Sequence, residues 1–329
     1  MAPRKIAVID LGTNTFHLLI IETESCEYKV LFKKKTAVKI GQGGITKGMI
    51  SPEAFERAFA TLSEFRRKMD EFGVNEIFAT GTSAVRSAKN GEDFIREIKS
   101  RFNIAVQVIS GEREAELIYH GVKNALNLGS EKSLIMDIGG GSVEFIICNS
   151  DKIFWKESFE IGAQRMLDLF IPSDPIQNDQ VNQVINYLEE KLPALTAAVQ
   201  IFQPDLLVGS SGTFDTLADI DALRKGISLN DKQKEYYLPL DSFRQTYQEV
   251  LKKNRAERMI IPGMIEMRVD MIVVACILIN YIVEKYQLEK NPGIGLCFER
   301  RRPRQSDQPR VDQLKKNNEQ NVLFPSKQD

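Results

Sequence analysis

The sequence predicts an α/β protein of two domains with similar topology, each with a mixed sheet, flanking a central cleft. Three observations carry this. Short β-branched and apolar runs alternate along the chain with amphipathic stretches of helical period. A strand–turn–strand unit around Asp10 recurs around Asp137. The 329 residues give room for two cores of ordinary size.

The repeat is the most informative of the three. IAVIDLGTNTFHLLIIE (6–22) aligns without gaps on LIMDIGGGSVEFIICN (134–149). Asp10 falls on Asp137, Gly12 on Gly139, Asn14 on Gly141, Thr15 on Ser142 and His17 on Glu144. A tight turn needs one glycine or two to reach positive φ. The further glycine in Gly139, Gly140 and Gly141 therefore implies a close approach to the backbone. Consecutive N–H groups in a turn form an anion nest, and phosphate is its usual guest. Chance likeness between two buried hairpins is the plain alternative; the shared register of Asp and Gly counts against it. Duplicated domains that meet face to face set both turns on opposite walls of one cleft.

The first domain is expected over 1–126. After the first hairpin comes a third strand over 28–38. SPEAFERAFATLSEFRRKMDEFG (51–73) then reads as a long amphipathic helix with Ser51 as N-cap and Pro52 at its first position. A strand EIFAT (76–80), a helix from Glu92, a strand AVQVI (105–109) and a helix from Glu112 complete it. The second domain is expected over 127–290. Its hairpin is followed by helices over 164–170 and 179–199, a strand DLLVG (205–209), a turn SSGT and further helices to Leu288. The apolar stretch 271–283 is too short to span a bilayer and contains Asn280, so it reads as a core helix.

Composition narrows the chemistry. Hydrophobic residues at 43% and charged residues at 27% describe a globular chain. A net charge of −1 means that a polyanion site must be a local concentration of donors. Neither a nucleic-acid polymer nor a membrane is an expected partner. With only His17 and His120, a histidine-rich zinc site or a serine–histidine mechanism is not expected. Cys26, Cys148, Cys276 and Cys297 are scattered without a CxxC pair, which suggests reduced thiols in a cytoplasmic protein without an N-terminal signal.

Several residues could carry function. Asp10 and Asp137 end buried strands before glycine turns, where a carboxylate can hold Mg2+ together with phosphate oxygens. Each could instead cap its own turn. Arg86, in TSAVRSAKN (82–90), follows a strand and suits bidentate phosphate binding; a solvated surface arginine is the bland reading. SGEREAELIYHGV (110–122) opens a helix whose first turns crowd Glu112, Glu114 and Glu116. Acids there are favoured by the helix dipole alone. A glutamate at the mouth of a cleft is also where a water-activating base is needed. Glu144, two residues after Ser142, is a second candidate. GSSGT (209–213), with Ser211, Gly212 and Thr213, is another strand-to-helix turn suited to phosphate.

Taken in order, IDLGTNTFHLLI, VKIGQGGITKG, TSAVRSAKN, ISGEREAELIYHGV, MDIGGGSVEF, VGSSGT and IIPGMIEMRVD resemble the successive motifs of the Ppx/GppA phosphatases. These are the exopolyphosphatase and guanosine pentaphosphate phosphatase enzymes of the actin-like ATPase superfamily. The resemblance spans residues 5–288 and implies two ribonuclease H-like domains with the triple-glycine turn between them. It implies that Glu114, directly before the alanine of the SGxxEA stretch, is the catalytic glutamate. It also places Asp137, Gly139, Gly140, Gly141, Ser142 and Glu144 in the glycine-turn motif, Asp10, Thr13 and Asn14 in the first turn, and Arg86 in the arginine motif. Mg2+ is the implied cofactor.

The resemblance ends near Leu288, where the family continues into a further strand. Here KNPGIGLCFERRRPRQSDQPR (290–310) leads into a Lys-, Asn- and Gln-rich end, so 291–329 is expected to be a disordered tail that leaves the second sheet short of a strand. The extra C-terminal helical domain of longer family members is absent from the reading. The expected activity is hydrolysis of a terminal phosphate from inorganic polyphosphate or guanosine pentaphosphate. The alternatives are a non-hydrolytic polyphosphate or alarmone sensor, and an actin-fold kinase or chaperone with an adenosine pocket. Oligomeric state stays open, a homodimer included.

Overall fold

The computed structural model describes residues 4–24, 27–170, 173–227 and 235–288, with the backbone of 296–299. The first half runs β1 (Arg4–Leu11), β2 (Thr15–Glu24), β3 (Glu27–Ala37), α1 (Pro52–Phe72), β4 (Glu76–Gly81), α2 (Ser83–Ser87), α3 (Gly91–Phe102), β5 (Val106–Val108) and α4 (Gly111–Ala125). The second half opens with β6 (Ser133–Ile138), β7 (Val143–Cys148), β8 (Ile153–Phe159), α5 (Ala163–Phe170), α6 (Asn178–Lys191) and α7 (Pro193–Phe202). It continues with β9 (Leu206–Ser210), α8 (Gly212–Arg224), β10 (Glu235–Leu238), α9 (Leu240–Lys252), α10 (Arg255–Met259), α11 (Met271–Tyr286) and β11 (Leu296–Glu299).

Among the described residues the strands form two mixed sheets, ordered β3-β2-β1-β4-β5 and β8-β7-β6-β9-β11-β10. Each begins as an antiparallel meander and continues with parallel strands, β4 and β5 in one, β9 and β11 in the other. The same layout thus occurs twice, as in ribonuclease H-like domains, and β10 adds an antiparallel edge to the second copy. The repeat extends to register. Asp10 pairs with His17 and Leu11 with Phe16; Asp137 pairs with Glu144 and Ile138 with Val143.

The short α2 and β10 are not expected from the sequence, and two further segments depart from the sequence reading for a clear reason. The single helix expected over 179–199 is two, because Pro193 lacks an N–H and takes the first position of a new helix. The tail expected from residue 291 contributes a strand: β11 lies between β9 and β10 and fills the sheet. A four-residue strand is too short to show periodicity, so the sequence pattern could not reveal it. The rest of 291–329 lies outside the described residues.

Packing follows the period of each element. Ser51 caps α1 by accepting from Ala54 N, and Gly73 closes it at φ 64°. Ala54, Ala58, Leu62, Phe65 and Met69 of α1 fall on one stripe and bury against Ala7, Ile9, Leu11, Phe16 and Leu18. Asp10 alternates with Ile9 and Leu11 and therefore lies on the opposite face of the first sheet. In the second sheet Leu134, Met136 and Ile138 face the core built by α8 and α11. Ile135, Ile146 and Cys148 face the other way, against Ala115, Tyr119 and Val122 of α4. Asp137 and Glu144 share that second face by the same alternation. Although α4 precedes β6 and falls within 1–126, it packs on the second sheet, and its N-terminal turn projects towards the first. Among the described residues no helix is long and apolar enough to cross a membrane.

Ala115 is fully buried where α4 meets the second sheet. Ala115→Leu should overpack this contact and destabilise the protein by ~1–3 kcal/mol. The shift is measurable as a lower urea midpoint with unchanged m-value.

Candidate active site

The two glycine turns are built alike. Gly12 N–H donates to Thr15 O at 3.1 Å, and Gly139 N–H to Ser142 O at 3.0 Å. In the first turn the carbonyls of Thr13 and Asn14 accept from Gly41, Val38 and Lys39. In the second, the carbonyls of Gly139, Gly140 and Gly141 accept from Ala163, Gln164, Arg165 and Gly162 at the start of α5. The oxygens are thus spent on the protein. Among the described residues the N–H groups of Thr13, Asn14, Gly140, Gly141 and Ser142 take no backbone partner, the arrangement an anion nest requires.

The triple glycine also has a steric cause. A Cβ on Gly140 would lie 2.6 Å from Asn14 Nδ2 and 3.0 Å from Thr13 Cβ. One on Gly141 would lie 2.7 Å from Thr13 Oγ1 and collide with Ser83 Oγ. The close approach that the glycines allow is made here by the first turn itself. Asn14 is buried, and its Oδ1 has no hydrogen-bond partner among the described residues.

Carboxylates gather beside the turns. Of the three glutamates at the start of α4, Glu112 is exposed and Glu116 pairs with Arg113 and Lys156, so neither serves the cleft. Glu114 turns inward and accepts from Arg86 Nη1 at 3.0 Å. Burial pushes its pKa up to about 7; Arg86 opposes the rise, and the charges of Asp10 and Asp137 add to it. Glu144 is 1% exposed and accepts from Ser158 Oγ at 2.7 Å. Its pKa is raised well above the ordinary carboxylate value, by burial first and then by Glu114 and Asp137. Glu144 is enclosed, whereas Glu114 stands beside Arg86 at the turns. Glu114, near neutrality, is the better placed base.

Arg86 is fixed from three sides, by Ile109 O at 3.1 Å, Glu114, and Glu160 at 3.2 Å. Ser211 adopts φ 84° and ψ 173°, a region open in practice to glycine alone, at a cost of ~1–3 kcal/mol. Its Oγ donates to Ile138 O at 2.9 Å, tying this third turn to the strand end before Gly139. Thr213 is buried in the first turn of α8. Gly212 lies beneath the Arg268 guanidinium, whose Cζ would sit 2.9 Å from a Cβ there. Burial lowers the Arg268 pKa, against the pull of Asp215 and Asp137. Arg268, Glu160, Arg165 and Ser83 were missed by sequence reasoning. Arg268 stood in a recognised stretch, IIPGMIEMRVD, but nothing in its spacing gave it a role.

Among the described residues no three His, Cys, Asp or Glu side chains form a cage for a metal ion. Mg2+ fits without one, since it keeps several waters and commonly takes one or two carboxylates plus phosphate oxygens. Asp10 and Asp137 both act electrostatically on Glu114, so the three acids share one small region. A cation there would relieve their mutual repulsion.

Two ribonuclease H-like halves, paired glycine turns whose N–H groups lack backbone partners and a half-buried glutamate held by an arginine make an actin-like fold with a candidate phosphate site. The sequence pattern of the Ppx/GppA phosphatase family matches residues 19–291, and the chain belongs to that family. It is therefore a phosphatase. The match begins beyond the first turn, so Asp10, Thr13 and Asn14 rest on the motif resemblance, the repeat and the geometry. An exopolyphosphatase from Cytophaga hutchinsonii ATCC 33406 is 45% identical, with a TM-score of 0.84 over 90% of this chain and 94% of that one. The Aquifex aeolicus member of the Ppx/GppA family is 21% identical, with a TM-score of 0.71 over 98% of this chain and 100% of that one, a likeness of fold alone.

The raised pKa of Glu114 has a thermodynamic signature. The native state keeps its proton up to about 7, whereas an unfolded glutamate releases it near 4.5. The native state then binds more protons in that window, so this contribution to stability is complete below the window and is lost as pH rises through it. Glu144 acts with the same sign. Thermal unfolding of the metal-free protein between pH 4.5 and 7.5 should show this loss. Glu114→Gln should flatten the slope; equal slopes would mean that Glu114 titrates normally.

Proposed function

We propose that the protein is an exopolyphosphatase: it releases the terminal phosphate of inorganic polyphosphate, short chains preferred, by Mg2+-assisted attack of water. The observation that carries this reading is Glu114, a carboxylate of near-neutral pKa held by Arg86 beside two anion-binding turns. The Cytophaga protein, 45% identical, is named an exopolyphosphatase, which supports the substrate class. A net charge of −1 leaves little surface for a long basic channel, hence the preference for short chains.

In this mechanism the N–H groups of Thr13, Asn14, Gly140, Gly141 and Ser142 hold the oxygens of the terminal phosphate. Glu114 orients the attacking water and takes its proton as the water oxygen bonds to phosphorus. The bond from that phosphorus to the bridging oxygen breaks, the oxygen keeps the electron pair, and the chain leaves one unit shorter. Arg86 meets the charge that develops on the transferred group. Ser211, Gly212 and Thr213, with Arg268 above them, meet the leaving chain. Asp10 and Asp137 would hold Mg2+, which would supply neutralisation of phosphate charge.

Phosphate release should be measured in parallel on tripolyphosphate, long-chain polyphosphate and guanosine pentaphosphate, which carries the same terminal anhydride. Release is expected to be fastest from tripolyphosphate. Glu114→Gln should lower turnover by ~10²–10⁴-fold, while Glu112→Gln, on the exposed face of the same turn, should leave it near the parent value. Release from guanosine pentaphosphate alone would move the substrate assignment to the nucleotide. Tight binding without release would make the protein a sensor.

A further inference from the structure

One acid at the seam between the halves has no place in that mechanism. Glu160 follows β8 and reaches across to the first half. It accepts from Ser83 Oγ at 2.7 Å and from Arg86 Nη2 at 3.2 Å, and Arg165 Nη2 closes on it from the second half. Arg165 in turn donates through Nε to Gly141 O at 3.0 Å and through Nη1 to Ile45 O at 3.2 Å. Ser83 Oγ lies against Gly141. A carboxylate therefore rests on two guanidinium groups and a hydroxyl beside the glycine turn. That donor set is the one a phosphate group takes.

Position argues against a merely structural pair. The Glu160 side chain is 42% exposed, whereas those of Arg86 and Arg165 are 20% and 13% exposed. Half-buried cations thus meet an anion that can swing into solvent. A fixed negative charge here also repels any incoming polyanion. Arg86, released from Glu160, regains a free edge of its guanidinium while Glu114 and Ile109 O still hold the other nitrogen.

We propose that Glu160 is an internal competitor for the substrate: its carboxylate occupies the Arg86, Ser83 and Arg165 donors and must leave before a phosphate group can take them. The inference rests on the reading of this cleft as a phosphate site. Displacement weakens every ligand that uses these donors by one common factor, because only the Glu160-out state is competent to bind it. A ligand with several phosphate groups remains bound by its other contacts. Orthophosphate, with one group, becomes a weak ligand, so the released product does not block the site. Two partly exposed ion pairs and a hydroxyl contact set the factor at about 5–30-fold.

The test is calorimetric binding of orthophosphate and of tripolyphosphate to the full-length protein, Glu160→Gln and Glu160→Ala, each also carrying Glu114→Gln to stop turnover. Both substitutions at residue 160 should tighten both ligands by a similar factor, about 5–30-fold. With Glu114 intact, Glu160→Gln should show stronger inhibition by orthophosphate. Thermal unfolding confirms that each variant is folded. Unchanged or weaker binding of both ligands would overturn the competitor and leave Glu160 as a positioning residue for Arg86. If tripolyphosphate neither binds nor is hydrolysed while orthophosphate still tightens, the polyphosphate reading falls and the competitor stands.

Discussion

The contact of one glycine turn with the other is the constraint on which the rest depends. Thr13 and Asn14 occupy the space that side chains at 140 and 141 would fill, so the two halves approach backbone to side chain at this point. Such closeness needs glycine on one side and small polar residues on the other. Because the carbonyls of both turns are consumed by neighbouring N–H groups, the turns offer donors to the cleft. Geometry that joins the halves is also the geometry of an anion nest.

Electrostatics completes the arrangement. Asp10, Asp137, Glu114 and Glu144 crowd a region of low solvent access, and burial raises the pKa of both glutamates. Repulsion among carboxylates cannot be relieved by more carboxylates or by a polyanion. Cationic partners are needed, and the structure supplies Arg86 directly and Arg268 at longer range. A divalent ion is chemically compatible with the carboxylates that remain.

The helix carrying Glu114 joins the halves in a second way. Its apolar face, Ala115, Tyr119 and Val122, lies on the second sheet, while its first turn reaches Arg86 of the first. Any relative motion of the halves would change the Glu114–Arg86 distance. The strained Ser211 is held by its bond to Ile138 O, at the strand end before the second glycine turn. Strain of this kind persists only where surrounding contacts over-determine it.

Much of this was legible in the sequence. The repeat around Asp10 and Asp137 carried through to strand register, and the Ser51 cap with Pro52 fixed the start of α1, because period, capping and turn chemistry are local. Glu114, Arg86 and the glycine triplet were readable because they stand in ordered motifs. Other features were decided only in three dimensions. The packing of α4 on the second sheet depends on which face of a distant strand is left uncovered. The strand at Leu296–Glu299 exists because β9 and β10 leave a place between them. Glu160, Arg165 and Arg268 gain their roles from partners far away in the chain, Ser83 and Arg86 for the first, Ile45 for the second and Asp137 for the third. Local propensity determines elements. Long-range burial and charge pairing decide which side chains meet, and no sequence period encodes them.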